Sequence, residues 1–244
     1  RKSNHFSLSI VGNEELGGVP YGTYPRLILL WIASEAVRTK NREIVLGASL
    51  SDFMKKIGLH VTGGHWGTLS RFKQQLKLLF SSVISFGYED KKKGEWVHTN
   101  MSIAEKAMIF WDPEHPSKVD LFKSKVLLGE AFFKELCDAP VPVDLRAINV
   151  LKGSSLALDI YFWLTYRLSY LKSPVKISYE SLQIQFGGNY RDTPQGRYEF
   201  KRKFSHQLKK IVSLYPEVRL QDTEAGFLLH PGQKDLLSDL EDTN

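Results

Sequence analysis

Apolar side chains fall at Leu27, Leu30, Trp31 and Val37 along residues 25–40, a spacing that predicts a helix with a broad buried face. Pro25 suits its first turn. A short apolar run, Ile44-Val45-Leu46, follows. Ser49 is then a candidate N-cap, with Asp52 three residues later, for a helix over Leu50–Ile57 that Gly58 closes. Residues 60–67 carry three glycines and read as a loop. Beyond them Leu69, Phe72, Leu76, Leu79 and Val83 restore helical spacing and predict a second long helix over 68–83. Ser85–Tyr88 and Trp96–Thr99 flank the charged stretch Glu89-Asp90-Lys91-Lys92-Lys93-Gly94, the pattern of two hairpin strands and their turn. Helix, strand, helix, turn, helix and hairpin in that order describe a winged helix.

The same order returns in the second half, which marks an internal repeat. Leu156–Tyr170 is again an aromatic-rich helix, in which Phe162-Trp163 matches Leu30-Trp31. Ser178 and Tyr179 match Ser49 and Leu50, Leu182 matches Phe53, and Phe186-Gly187 matches Ile57-Gly58. After a loop bearing Gly187, Gly188 and Gly196, the run Lys203-Phe204-Ser205-His206-Gln207-Leu208-Lys209 faces Arg71-Phe72-Lys73-Gln74-Gln75-Leu76-Lys77, with Phe, Gln, Leu and Lys in identical places. Val218–Leu220 and Phe227–Leu229 flank Asp222-Thr223-Glu224-Ala225-Gly226 as a second hairpin. Pro113, Pro116, Pro140 and Pro142 punctuate the join and place it within residues 113–145. The expectation is an α+β chain, mainly helical, with tandem winged helix-turn-helix domains over 1–120 and 121–244. Lys125–Leu136 reads equally as strand or helix packed between them.

On the first of the two basic helices the apolar stripe leaves Ser70, Arg71, Lys73, Gln74 and Lys77 outward, with no acidic residue among them. Such a face fits the major groove of DNA, where Arg and Lys reach guanine or phosphate and Gln pairs with adenine. A solvated helix face is the competing explanation. The second helix weighs against it: with Phe200, Phe204, Leu208 and Ile211 inward, Arg197, Lys201, Arg202, Lys203, Lys209 and Lys210 stand against Glu199 alone, and Ser205 and His206 lie among them. Lys91, Lys92 and Lys93 give the first hairpin a basic tip suited to tracking a phosphate backbone, whereas Asp222 and Glu224 make the second tip acidic.

Composition agrees with a polyanionic partner without requiring one. The 33 Lys and Arg against 27 Asp and Glu leave a formal net charge of +6. The single cysteine, Cys137, excludes an internal disulfide and a multi-cysteine zinc site, and reads as a small buried hydrophobe. The glycine-rich stretch Gly63-Gly64-His65-Trp66-Gly67-Thr68 lacks the lysine of a phosphate-binding P-loop. No two of the seven histidines lie two or four positions apart, so neither a His-x-His nickase motif nor a zincin helix is present. The ten tyrosines show no adjacent metal or base constellation. Trp31, Trp163, Tyr161 and Tyr166 read as core, while Trp66, ahead of the first basic helix, suits either packing or DNA contact. No catalytic residue, metal or cofactor is expected, and no membrane span. The start at Arg1-Lys2-Ser3 reads as that of a trimmed fragment, and the acidic end around Asp239 and Glu241 as a disordered tail or partner site.

Gly18-Val19-Pro20-Tyr21-Gly22-Thr23-Tyr24-Pro25-Arg26 and Trp31-Ile32-Ala33-Ser34-Glu35-Ala36-Val37-Arg38-Thr39-Lys40 resemble the opening signature of plasmid-encoded RepA replication initiators. Thr62-Gly63-Gly64, Gly67-Thr68-Leu69-Ser70-Arg71, Pro142-Val143-Asp144-Leu145-Arg146-Ala147 and Ser155–Tyr161 extend the likeness over most of residues 16–216. The resemblance implies a cytoplasmic protein of two winged-helix domains. It would bind double-stranded repeats at a plasmid origin, help open adjacent DNA, recruit the host replicative helicase and initiator, and switch between monomer and dimer. A transcriptional repressor of the same fold is the rival reading. A rolling-circle nicking enzyme is a more distant one.

Overall fold

A computed structural model describes residues 2–3, 6–60, 62, 68–90, 92–111, 115, 117–118, 123–215 and 218–232. The chain divides into two compact units, Lys2–Pro140 and Val141–Asn244.

In the first unit, strands β1 (Lys2–Ser3) and β2 (Phe6–Val11) precede a 3-10 turn at Glu14–Leu16 and helix α1 (Thr23–Thr39). Helix α1 buries Leu27, Ile28, Ile32 and Ala36, so its inner stripe is rotated from the one expected and Leu30, Trp31 and Val37 are half-buried. Strand β3 (Glu43–Gly47) leads into α2 (Leu50–Lys56), whose N-cap is Ser49 as its spacing predicts, the Oγ accepting from the Asp52 N–H at 3.2 Å. Gly58, at φ 75°, closes α2, and the Leu59 N–H reaches back to the Met54 carbonyl. Helix α3 (Thr68–Phe80) follows, then β4 (Val83–Asp90) and β5 (Glu95–Ser102), which form the expected hairpin. The helix is shorter than its apolar spacing suggests: it ends at Phe80, and Val83 opens β4 instead.

Two features of this unit depend on pairing between distant segments. Strand β2 joins β4 antiparallel from Phe6 opposite Tyr88 to Val11 opposite Val83, giving the four-stranded order β1-β2-β4-β5. Strands β6 (Ala104–Met108) and β7 (Ser124–Leu128) form a second sheet with β3, in the order β3-β7-β6, and α4 (Glu130–Asp138) follows. The stretch around Lys125–Leu136 is therefore strand and then helix. Because β7 pairs with β3, residues 124–140 belong to the first unit, and the division falls at Pro140/Val141. The core centres on Phe53, fully buried with its ring 5.0 Å from Trp31, 5.8 Å from Phe72 and 5.3 Å from Trp111.

The second unit contains α5 (Leu145–Leu151), α6 (Ser155–Tyr170), β8 (Val175–Ser178), α7 (Tyr179–Phe186), α8 (Pro194–Leu214), β9 (Leu220–Thr223) and β10 (Gly226–Leu229). Its sheet order is β8-β10-β9, so the strand between the first and second repeat helices pairs with the far arm of the hairpin. Side-chain oxygens of Ser154, Ser178 and Thr193 cap α6, α7 and α8, and Pro194 takes the first turn of α8. Gly226 is required by close approach: a Cβ there would stand 2.0 Å from the Ile177 carbonyl oxygen. Phe200, Phe204, Leu208 and Ile211 of α8 face the core, with the Phe204 ring 5.6 Å from Phe186. Tyr161 is buried and Trp163 half-buried, but Tyr166 is half exposed and pairs edge-on with Tyr170, so it lies outside the core expected for it.

Candidate nucleic-acid interface

Helix α3 owes its position to Leu69, Phe72, Leu76 and Leu79, which are buried and fix which side turns outward. Ser70, Arg71, Gln74 and Lys77 are exposed on one continuous face. Lys73 is not part of that face in the same way: it is half-buried, and its Nζ donates to the Trp111 carbonyl at 3.0 Å. The neighbouring Gln75 turns inward, where its Oε1 accepts from the Tyr21 N–H at 2.7 Å and holds the segment preceding α1 against α3. Gln74 lies beside the 3-10 turn, such that a Cβ on Gly17 would meet its Nε2 at 3.5 Å.

At the tip of the first hairpin Lys92 and Lys93 are exposed, and their backbone N–H groups donate to Asp90 Oδ1 at 3.0 and 3.3 Å. Asp90 thereby shapes the turn that presents them. Lys91, Trp66 with its glycine-rich neighbours 63–67, and the acidic end lie outside the described residues.

Helix α8 carries its cations in two groups. Arg197 donates to Asp192 Oδ1 at 2.9 Å, Lys210 donates to the Val150 carbonyl at 3.1 Å, and the Lys203 ammonium lies 5.5 Å from the centre of the Tyr190 ring. Lys201 donates to the Glu224 carbonyl at the second hairpin tip, 2.9 Å away, and sits 4.8 Å from the centre of the Tyr179 ring. Arg202 and Lys209 form the second group, exposed and, like the neighbouring His206, with no partner among the described residues. Ser205, expected outward, is half-buried and bonded to the Tyr179 hydroxyl at 3.0 Å.

Tyr179 is the residue that the sequence pattern conceals. Its hydroxyl also donates to Asp222 Oδ1 at 3.3 Å, and its backbone N–H donates to the Ala225 carbonyl at 2.9 Å, so one side chain joins α7, α8 and the hairpin. Burial pushes the hydroxyl above the ordinary tyrosine range; the bond with Ser205 opposes this and the Asp222 carboxylate adds to it. Nothing in residue spacing announces such a hub.

Among the described residues no group of three or more His, Cys, Asp and Glu could hold a metal ion, and no helix is long and apolar enough to cross a membrane.

The fold has a known counterpart. A crystal structure of selenomethionine derivatives of domain 2 and domain 3 of RctB matches with a TM-score of 0.55 at 10% identity, covering 95% of this chain and 92% of that one. At that identity the likeness is one of fold. No curated protein matches the chain. Two winged-helix units, each with a basic helix ahead of a hairpin, place the protein in the class of tandem winged-helix proteins. Residues 19–184 match the family described as plasmid-encoded RepA proteins, and the chain belongs to that family of replication initiators.

Proposed function

We propose that the protein initiates plasmid replication by binding double-stranded repeats at the origin through the outer faces of α3 and α8, promoting opening of adjacent DNA and recruiting host helicase. The observation that carries this reading is the pair of outward faces at equivalent places of the two units: Arg71, Gln74 and Lys77 on one, Arg202, His206 and Lys209 on the other. Six exposed cations, Arg71, Lys77, Lys92, Lys93, Arg202 and Lys209, are available for phosphates. Their engagement gives a log-log salt dependence of affinity with slope about −5. Base reading falls to Arg71 and Gln74, whose side-chain geometries suit guanine and adenine edges. Ser70 lies on the α3 face, which Lys73 supports through its internal bond, and Arg197, Lys201 and Ser205 support the α8 face through theirs. Lys91 extends the basic hairpin tip in sequence. The reading places the protein in the cytoplasm, without cofactor or catalytic activity of its own. The helicase and initiator of the host and a change between monomer and dimer are its further elements, supported by the family resemblance.

Footprinting on origin DNA with permanganate probing tests it. Protected repeats together with reactive thymines in adjacent DNA are expected, and supercoiled origin DNA remains unnicked with magnesium or manganese. Protection without melting favours the repressor, a covalent tyrosyl-DNA adduct the nicking enzyme. A salt slope near zero overturns DNA binding through these faces.

A further inference from the structure

Phe200, Phe204, Leu208 and Ile211 occupy the inner side of α8. At about 100° per residue, Tyr198, Arg202 and Lys209 lie on the opposite side of the same helix. Arg202 and Lys209 are suited to phosphates and guanine edges, but Tyr198 is an aromatic left 63% exposed, with no hydrogen bond, ion pair or ring partner among the described residues. Other rings of this unit have partners, as with Trp163 against Phe186, Tyr190 against Phe200 and Tyr179 beneath the Lys201 ammonium. A single exposed ring is ordinary on a protein surface. Its place in the repeat is not.

The shared Phe72 and Phe204 set an offset of 132 residues (204 − 72) between the two basic helices, and the same offset carries Tyr198 onto Trp66 (198 − 132). Each copy of the repeat therefore has a large aromatic six positions ahead of its conserved-in-both phenylalanine, although the residues around it differ: Gly67 stands where Glu199 does, and His65 where Arg197 does. This is a correspondence of sequence, since Trp66 lies outside the described residues. In sequence it ties Tyr198 to the basic segment that the two halves share.

The groove chemistry then narrows what the ring can meet. Along the major-groove edge of the base pairs the thymine C5-methyl is the apolar group; the other groups displayed there are hydrogen-bond donors and acceptors. We propose that Tyr198 is a specificity-determining residue whose ring packs on a thymine methyl at one position of the recognised sequence, while Arg202 and Lys209 hold the backbone. The proposal rests on the DNA-reading role of α8 given above.

The test begins with a duplex that the full chain enriches from a random-sequence pool. Wild type, Tyr198→Phe and Tyr198→Ala are titrated against that duplex, a scrambled one, and versions in which uracil replaces each thymine in turn. Uracil at one position should weaken wild type and Tyr198→Phe by about fourfold, the loss expected for one methyl group. Tyr198→Ala should bind the enriched duplex about tenfold more weakly, lose nothing further with uracil at that position, and bind the scrambled duplex as wild type does. An unchanged thermal transition shows that the exposed site has been altered without unfolding. Equal losses on both duplexes, no loss on either, or uracil effects that persist unchanged in Tyr198→Ala at every position overturn the proposal. If no duplex is enriched, the DNA-reading role of α8 fails and this proposal with it.

Discussion

Lys201 Nζ lies 2.9 Å from the Glu224 carbonyl oxygen, so one lysine of α8 is tied to the tip of the second hairpin. Binding a phosphate with the same ammonium means giving up that bond and its place over the Tyr179 ring. Arg202 and Lys209 give up nothing comparable. Replacing Arg202 and Lys209 together by alanine should weaken binding to specific and random DNA alike and flatten the salt slope by about two units. Lys201→Ala should flatten it by less than about one unit and lower the thermal midpoint, because it detaches the hairpin. Anisotropy titrations at several salt concentrations, with melting curves of each variant, check the contrast.

Gln74 and Gln75 are adjacent and chemically identical, yet they point to different tasks. Gln75 is buried and accepts from the Tyr21 N–H, so Gln75→Ala should cost about 1–3 kcal/mol in urea unfolding by leaving that donor unpaired. It should leave the ratio of specific to random binding unchanged. Gln74→Ala should leave unfolding unchanged and reduce discrimination, by about 1–3 kcal/mol on a cognate site if Gln74 pairs with adenine. Similar losses of stability in both variants would show that the division between inner and outer glutamine is wrong.

What the sequence discloses follows the range of the interactions concerned. Local signals were readable: Ser49 and Ser178 cap the helices that their spacing predicts, and the charged run after Glu89 marks a hairpin turn. The tandem repeat was visible because it restates one apolar pattern. Long-range pairing was not. Phe6, Leu8 and Ile10 alternate with Ser7 and Ser9 as a strand should, but nothing in them names β4 as the partner. Strand β3 and strand β7 are joined across some eighty residues, which sets the division at Pro140/Val141, inside the proline-punctuated join of 113–145 but past residue 120. At the site, residue type identified the basic helices but not which cations are already engaged. The bonds of Lys73 to Trp111, Lys201 to Glu224 and Ser205 to Tyr179 come from tertiary neighbours far away in the chain.

Phe53 anchors the packing beneath α3, touching Trp31, Phe72 and Trp111 and showing no exposed surface. Phe53→Ala should destabilise the protein by about 3–5 kcal/mol, since a ring-sized cavity remains between three aromatics that cannot all close upon it. Phe53→Leu should recover part of the loss. Urea denaturation followed by tryptophan fluorescence measures both, Trp31 and Trp111 being direct neighbours of the change.

Tyr179 makes stability depend on alkaline pH. Its hydroxyl is raised above the ordinary value of 10.0, chiefly by burial, with Ser205 opposing and Asp222 adding to the shift. The folded protein thus favours the neutral, protonated form more than the unfolded chain does. That contribution is complete below pH 10 and is lost as the pH climbs through the folded-state value, because the unfolded chain then gives up its proton first. The phenolate would also face the Asp222 carboxylate, turning a donated hydrogen bond into repulsion. Tyr179→Phe removes the titrating group and the links to Ser205 and Asp222 together. The variant should be less stable than wild type at pH 8, and the gap should narrow as pH rises above 10. Thermal or urea midpoints of the two proteins, measured in parallel from pH 8 to pH 11, give the difference directly. A gap that stays constant over that range would mean that the Tyr179 proton is not coupled to folding.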